Sequence, residues 1–346
     1  MIARMIHRAG MILAIATALQ SPAFAAGGGA AKWLKKPDAW FSSDEAKHIG
    51  ANILSYQSDL GGWPKNTDTV DAPYQGPRGE LHPTFDNGAT TDELRFLARS
   101  YNATKDGIYQ TAFSKGLDYV LKAQYPTGGW PQFYPPSKQY HRHITFNDGA
   151  MVRLLEFLRE VAKSEVYAFV PAKDRQAAGA AFDKGIACIL KCQIRIDGKL
   201  TVWCAQHDEV DLSPRPARAF ELASLSGSES VGITRLLMSL EKPDKEVIAA
   251  VEAAVAWFQS AKITGIRLEK QGKDRVVVAD PKAPALWARF YDLKTGKPFF
   301  CDRDGVPKSS IAEIGEERRN GYSWYVTQPE NLLEKEYPVW KRKWVR

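Results

Sequence analysis

A stretch that occurs twice constrains this chain more than any other feature: TFDNGATTDELRFL from Thr84 and TFNDGAMVRLLEFL from Thr145. Each copy is preceded by a second matching fragment, GGWPKN from Gly61 and GGWPQF from Gly128. Two fragments recurring in one order, about sixty residues apart, mark a repeated structural unit. In both copies an Asp-Asn or Asn-Asp pair and a glycine precede Leu and Phe at helical spacing. Polar groups therefore gather at the mouth of a helix. A degraded third copy, SGSESVGITRLLMSL from Ser226, has Ser and Glu in place of Asp and Asn.

The periodicity predicts helices over Ser43–Ser58, from the first repeat to about Asn102, over Asp106–Gln124, Asp148–Lys163 and Pro171–Lys191, from the third repeat, and over Asp244–Lys262. Long polar loops join them. Helix, loop, helix comes round three times without a run of alternating strand pattern. This predicts an all-α fold in which six major helices close into an α/α toroid, with the loops collected at one end. Short strands are expected only inside loops, as at Thr201–Ala205 and Arg275–Val278. The stretch after Lys262 carries few helical signals.

Residues 1–25 have the three parts of a secretory signal: Arg4 and Arg8, an apolar run from Ala9, and Ala23-Phe24-Ala25 at the cleavage point. The run is too short to span a membrane. A secreted or periplasmic protein is expected, with residues 26–346 forming a single catalytic domain. The formal charge is +7, and the two signal arginines account for part of it. No dense basic block carries the rest, which argues against nucleic acid and suits an acidic polymer. Cys188 and Cys192 fall on one helix face without zinc-type spacing, and with Cys204 and Cys301 they read as core cysteines or one bridge.

Asp86-Asn87 and Asn147-Asp148 would each ordinarily cap a helix. Taken together, two aspartates at matched repeat positions point into one mouth, and converging oxygens suit a hard cation such as calcium. Arg215, Arg218, Arg289 and Arg303 lie in loops beside Pro, aromatic and acidic residues, where a fixed guanidinium can grip a carboxylate with two hydrogen bonds. Arg318 and Arg319 read as ordinary exposed arginines. Trp63, Trp130, Phe133, Tyr134, Trp203, Tyr322 and Trp324 supply core plugs or a sugar-facing surface. His141, His143 and His207 have no Ser or Cys elbow beside them and read as structural.

GGWPKN, TFDNGATT, GGWPQF, TFNDGAM, AQHD, PRPARAFE, WARFYDL, FFCDRDG and ERRNGYSWY, in that order, resemble a polysaccharide lyase family 10 pectate lyase over nearly the whole mature chain. The resemblance implies an (α/α)3 toroid, secretion, Ca2+ dependence and β-elimination of polygalacturonate to 4,5-unsaturated oligogalacturonates. It implies Asp86 and Asp148 as metal-associated acids and Arg303 as the base. Arg218 becomes a carboxylate clamp, with Arg289 and Arg215 as alternatives for these two arginine roles, and Asn87, Lys65 and Arg289 become substrate contacts. A monomer binding an acidic polysaccharide, and neither nucleic acid nor membrane, is the expected state. Two rivals stand beside this. An α/α-toroid hydrolase would need a carboxylate pair, yet none stands out among Asp92, Glu93, Asp208 and Glu209. A non-catalytic exported binding protein is the other.

Overall fold

The computed structural model describes residues 29–345; the signal expected over 1–25 lies outside them. Among the described residues up to Ser260 there are seven α-helices: α1 (Asp44–Ser55), α2 (Thr91–Thr104), α3 (Gly107–Lys122), α4 (Ala150–Lys163), α5 (Ala172–Cys192), α6 (Glu229–Met238) and α7 (Lys245–Ser260). Their starts follow from sequence. Ser43, Asp106 and Asp244 each accept a first-turn backbone N–H with their side chains, satisfying a donor that a helix start leaves unpaired.

α2 packs on α4 and α4 on α6, while α3 packs on α5 and α5 on α7. Alternate helices thus form two rows. Six of these helices make up three helix–loop–helix units, and α7, expected over Asp244–Lys262, opens a further, partial unit. Each loop is tied to the rows by a recurring device. The buried Trp63, Trp130, Trp203 and Trp287 donate their indole N–H to Ile53, Val120, Ile189 and Phe258 carbonyls at 2.7 to 2.9 Å. Gln57, Gln124 and Gln193 each bond one carbonyl of the following loop and one of the next helix in that row. An unpaired buried polar group costs ~1–3 kcal/mol, so these bonds fix the loops in place. The chain then returns to the tryptophan: Thr84, Thr145 and Ser226 donate to the Trp63, Trp130 and Trp203 carbonyls. That contact sets the register of the three polar mouths.

The fold is mainly helical but not all-α. Two-residue pairings stitch the loops, as where Gln206–His207 lies between Ile144–Thr145 and Pro214–Arg215. A longer hairpin pairs Ile266–Gln271 with Asp274–Ala279 and contains the strand expected at Arg275–Val278. Thr201–Ala205 is not a strand; pairing begins beyond it, at Gln206. Two-residue strands are too short to show alternation in sequence. The C-terminal stretch also holds unexpected helices over Glu316–Gly321, Gln328–Asn331 and Tyr337–Trp344. They depend on packing rather than periodicity. Leu332, Leu333 and Trp340 are buried, and Arg235 of α6 forms a two-bond pair with Glu336.

The main apolar core fills the space between the rows, and a second cluster lies under the later loops. It contains Phe220, Phe290, Phe299, Phe300, Cys301, Ile311, Ile314 and Trp324. All four cysteines are buried and free.

Candidate active site

The first two polar mouths share one backbone. Asn87 (φ 53°) and Gly88 (φ 80°) in one, and Asp148 (φ 51°) and Gly149 (φ 73°) in the other, are left-handed. Asn, Asp and Gly tolerate that region best. The equivalent pairs are therefore Asp86 with Asn147, and Asn87 with Asp148. The two aspartates are not at matched positions, as the sequence reading had them; the acid and amide are transposed. Neither caps a helix, since α2 and α4 begin after Thr90 and Gly149 without a side-chain cap. Both carboxylates are left for other work.

Asp86 is buried. Its Oδ2 accepts hydrogen bonds from Lys65 Nζ and, at 2.6 Å, from Gln132 Nε2. Lys65 and Gln132 are themselves equivalent, in GGWPKN and GGWPQF. Asp86 Oδ1 is buried and has no hydrogen-bond partner among the described residues. Asp148 is more open: its Oδ2 accepts from Asn147 Nδ2 at 2.8 Å, and its Oδ1 stands 3.6 Å from Arg289. The two turns pack against each other. A buried carboxylate oxygen without a partner is costly, and a hard cation with oxygen ligands is its natural complement. The Asp86 and Asp148 carboxylates are the charged oxygen donors of the two turns. This donor set fits calcium.

The arginines divide by position. Arg289 is buried, donating to Asn147 Oδ1 at 3.1 Å and to Glu229 Oε1 at 2.5 Å. Burial would lower its pKa, but Glu229 and Asp148 outweigh this and hold it above the ordinary arginine range. It is a fixed positive charge beside Asp148. Arg218 is half-exposed and forms a two-bond pair with Glu221, at 2.7 and 2.5 Å. Its pKa is raised, chiefly by that hydrogen bond. It stands 4.8 Å from the centre of the Phe220 ring and 5.7 Å from that of Tyr322. Burial raises the Tyr140 pKa, and the Arg218 charge partly offsets this.

Arg303 lies further out. It is exposed and pairs with Glu317 at 2.9 and 3.1 Å, which raises its pKa. Arg215 is occupied with Asp208 and Asp211. Arg318 and Arg319 are not ordinary surface arginines. Arg318 is buried with two bonds to Glu317, and Arg319 pairs with Asp274 of the hairpin.

Lys65 stands over the Phe133 ring at 5.5 Å, and His141 meets that ring edge-on. Burial and the Lys65 charge push the His141 pKa down. His207 is buried with both ring nitrogens bonded, to the Leu212 carbonyl and the Cys204 N–H. The acids proposed for hydrolysis are otherwise engaged: Asp92 and Glu93 are buried in α2, and Glu209 is bonded by Arg142 and His143. His143, Asp208 and Glu209 also lie close enough to hold a cation. Arg142 and Arg215 already pair with Glu209 and Asp208 there.

The sequence reading missed Gln132, Glu221 and Glu229 as partners. Gln132 was findable, because it occupies the Lys65 position of the second repeat. The assembly can bind a cation between two turns and an anionic ligand among Lys65, Arg218 and Arg289. The pectic acid lyase family matches residues 57–333. An aspartate-to-alanine mutant of a family 10 polysaccharide lyase from Cellvibrio cellulosa, in complex with trigalacturonic acid, is similar at 37% identity. The match covers 92% of this chain and 97% of that one, with a TM-score of 0.79. The family 10 polysaccharide lyase from the same organism matches at 38% identity over 90% and 96% of the two chains, also with a TM-score of 0.79. No match was found among curated proteins. The chain belongs to the pectic acid lyase family and is a pectate lyase.

Proposed function

We propose that this lyase is an exported, calcium-assisted enzyme that cleaves polygalacturonate by β-elimination with an arginine base. The observation that carries the reading is Asp86 Oδ1, a buried and unpaired carboxylate oxygen where two polar turns meet. The fold supports the (α/α)3 arrangement through its two helix rows and repeated loop ties. Export rests on the signal-like leader over residues 1–25.

The proton to be removed sits on C5 of a galacturonate, α to its carboxylate. Asp86 and Asp148 would hold calcium, with Asn87 beside them as a substrate contact; calcium when bound supplies Lewis-acid withdrawal of charge from that carboxylate. Arg289 adds a fixed positive charge beside Asp148, favouring the same developing anion. Lys65 holds Asp86 in place and presents a second cation. A base then takes the C5 proton, the C4–C5 double bond forms, and the C4–O4 bond breaks.

We place the base at Arg218 and a carboxylate contact at Arg303, exchanging the two roles that the resemblance implies. Arg218 and Arg289 both lie over the Tyr322 ring, at 5.7 and 4.8 Å, so Arg218 is one tyrosine ring from the arginine beside Asp148. Arg303 is exposed, and its guanidinium is paired with Glu317 of the Glu316–Gly321 helix. Both guanidiniums are held protonated by carboxylate partners, so turnover should rise on the alkaline side of neutrality. Arg218→Lys and Arg303→Lys test the assignment. Loss of kcat in the first and a raised KM in the second support it; the reverse restores Arg303 as base. Unsaturated products separate a lyase from a hydrolase, which yields only new reducing ends.

A further inference from the structure

Tyr322 follows the Glu316–Gly321 helix and stands where the arginines meet. Arg289 lies over its ring at 4.8 Å, Arg218 at 5.7 Å and Arg318 at 6.0 Å. The face of an aromatic ring attracts a guanidinium, so one side chain orients charges from separate loops. Its hydroxyl donates to Glu221 Oε1 at 2.6 Å, the same oxygen that accepts from Arg218 Nη2 at 2.5 Å. Phe220 packs edge-on against the Tyr322 ring at 5.3 Å and carries Arg218 on its own face. Two features therefore converge on Arg218: the ring beneath it, and the hydroxyl competing for its carboxylate.

We propose that Tyr322 is a positioning residue of this site, whose ring seats Arg218 and Arg289 and whose hydroxyl weakens the hold of Glu221 on Arg218. The inference rests on Arg218 being the base. A hydrogen bond from Tyr322 draws charge from the Glu221 carboxylate, and a weaker partner lets the Arg218 proton leave more readily. The other charged or titratable groups facing Arg218 are Tyr140 from the 140–142 turn, Arg303 from the loop after the Phe300–Cys301 strand, and Arg318 from the Glu316–Gly321 helix. None of them bonds Glu221, so the hydroxyl of Tyr322 is the adjustable contact.

The test is the pH dependence of kcat for Tyr322→Phe and Glu221→Gln, with thermal melts to show that both variants fold. Removing the hydroxyl strengthens the Glu221 grip, so the rising limb of Tyr322→Phe moves to higher pH by about 1 unit. At a fixed pH on that limb kcat falls about tenfold, while KM is kept because the ring remains. Removing the Glu221 charge moves the limb the opposite way. Tyr322→Leu also loses the ring and raises KM through Arg289. A Tyr322→Phe profile superimposable on the parent, or limbs shifting in one direction in both variants, overturns the positioning role. If Arg218→Ala abolishes turnover while Tyr322→Phe is unchanged, only this inference fails. Retained turnover in Arg218→Ala overturns the base assignment and this inference with it.

Discussion

Asp86 and Asp148 stand on turns with the same left-handed backbone, yet the first side chain is 3% exposed and the second 36%. The difference comes from one transposition. Where the acid precedes the amide, it points inward to Lys65 and Gln132; where the amide precedes the acid, Asn147 takes the inward place and reaches Arg289. The surroundings diverge in step. Asp92 and Glu93 behind the first turn correspond to Arg153 and Leu154 behind the second. A repeated backbone thus supplies two similar cradles, and side-chain order gives one a buried acid and the other an open one. Such a pair can hold a cation from one side and leave its other side to a substrate carboxylate.

Four substitutions sharpen or break this comparison. Asp86→Asn should have the largest effect, because it removes the buried charge facing both Lys65 and the cation. Turnover should fall about 10³-fold, measured as unsaturated product, with a lower Tm as Lys65 loses its partner. Asp148→Asn should cost less, about 10²-fold in turnover, with Tm nearly unchanged since the carboxylate is partly solvated. An equal loss in both variants would mean that the two acids are interchangeable.

The exchange Asn147→Asp with Asp148→Asn tests side-chain order directly. It gives the second turn the order of the first and moves the acid towards Arg289, a direct ion pair in place of a neutral amide contact. Folding should survive, with Tm within about 4 °C of the parent. The calcium concentration for half-maximal turnover should rise about tenfold. An unchanged calcium response would show that order does not matter.

Glu93 gives the smallest effect and a pH signature. Burial first, and then the neighbouring Asp92, push its carboxyl up to about 8 from an ordinary 4.5. The unfolded chain releases this proton from about pH 4.5 upward and the folded chain holds it until about 8, so stability declines across that window. Parent Tm should fall from pH 5 to 8, and Glu93→Gln should fall less across the window that Glu93 sets. Parallel curves would remove Glu93 from the account.

The helices were legible because Leu, Phe and Ala recur at their spacing and because Ser43, Asp106 and Asp244 announce three starts. The repeat was legible for the same reason, and it located Asp86, Asn87 and Asp148. Three things were not. Two-residue strands carry no period, and the helices after Glu316 are held by burial of Leu332, Leu333 and Trp340 rather than by pattern. The transposition of acid and amide was visible as letters, but its consequence needed the backbone. Partner choice was the third: nothing in PRPARAFE shows that Glu221 takes Arg218, or in ERRNGYSWY that Tyr322 bridges two loops.

The central claim is that a cation held through Asp86 drives an elimination. Its most direct test is ultraviolet absorbance during incubation with polygalacturonate, first with calcium and then with a chelator, on the parent and on Asp86→Asn. Rising absorbance in the parent that stops on chelation, and that is nearly absent in the folded variant, is the predicted result. Absorbance that continues through chelation, or a variant matching its parent, would contradict the account.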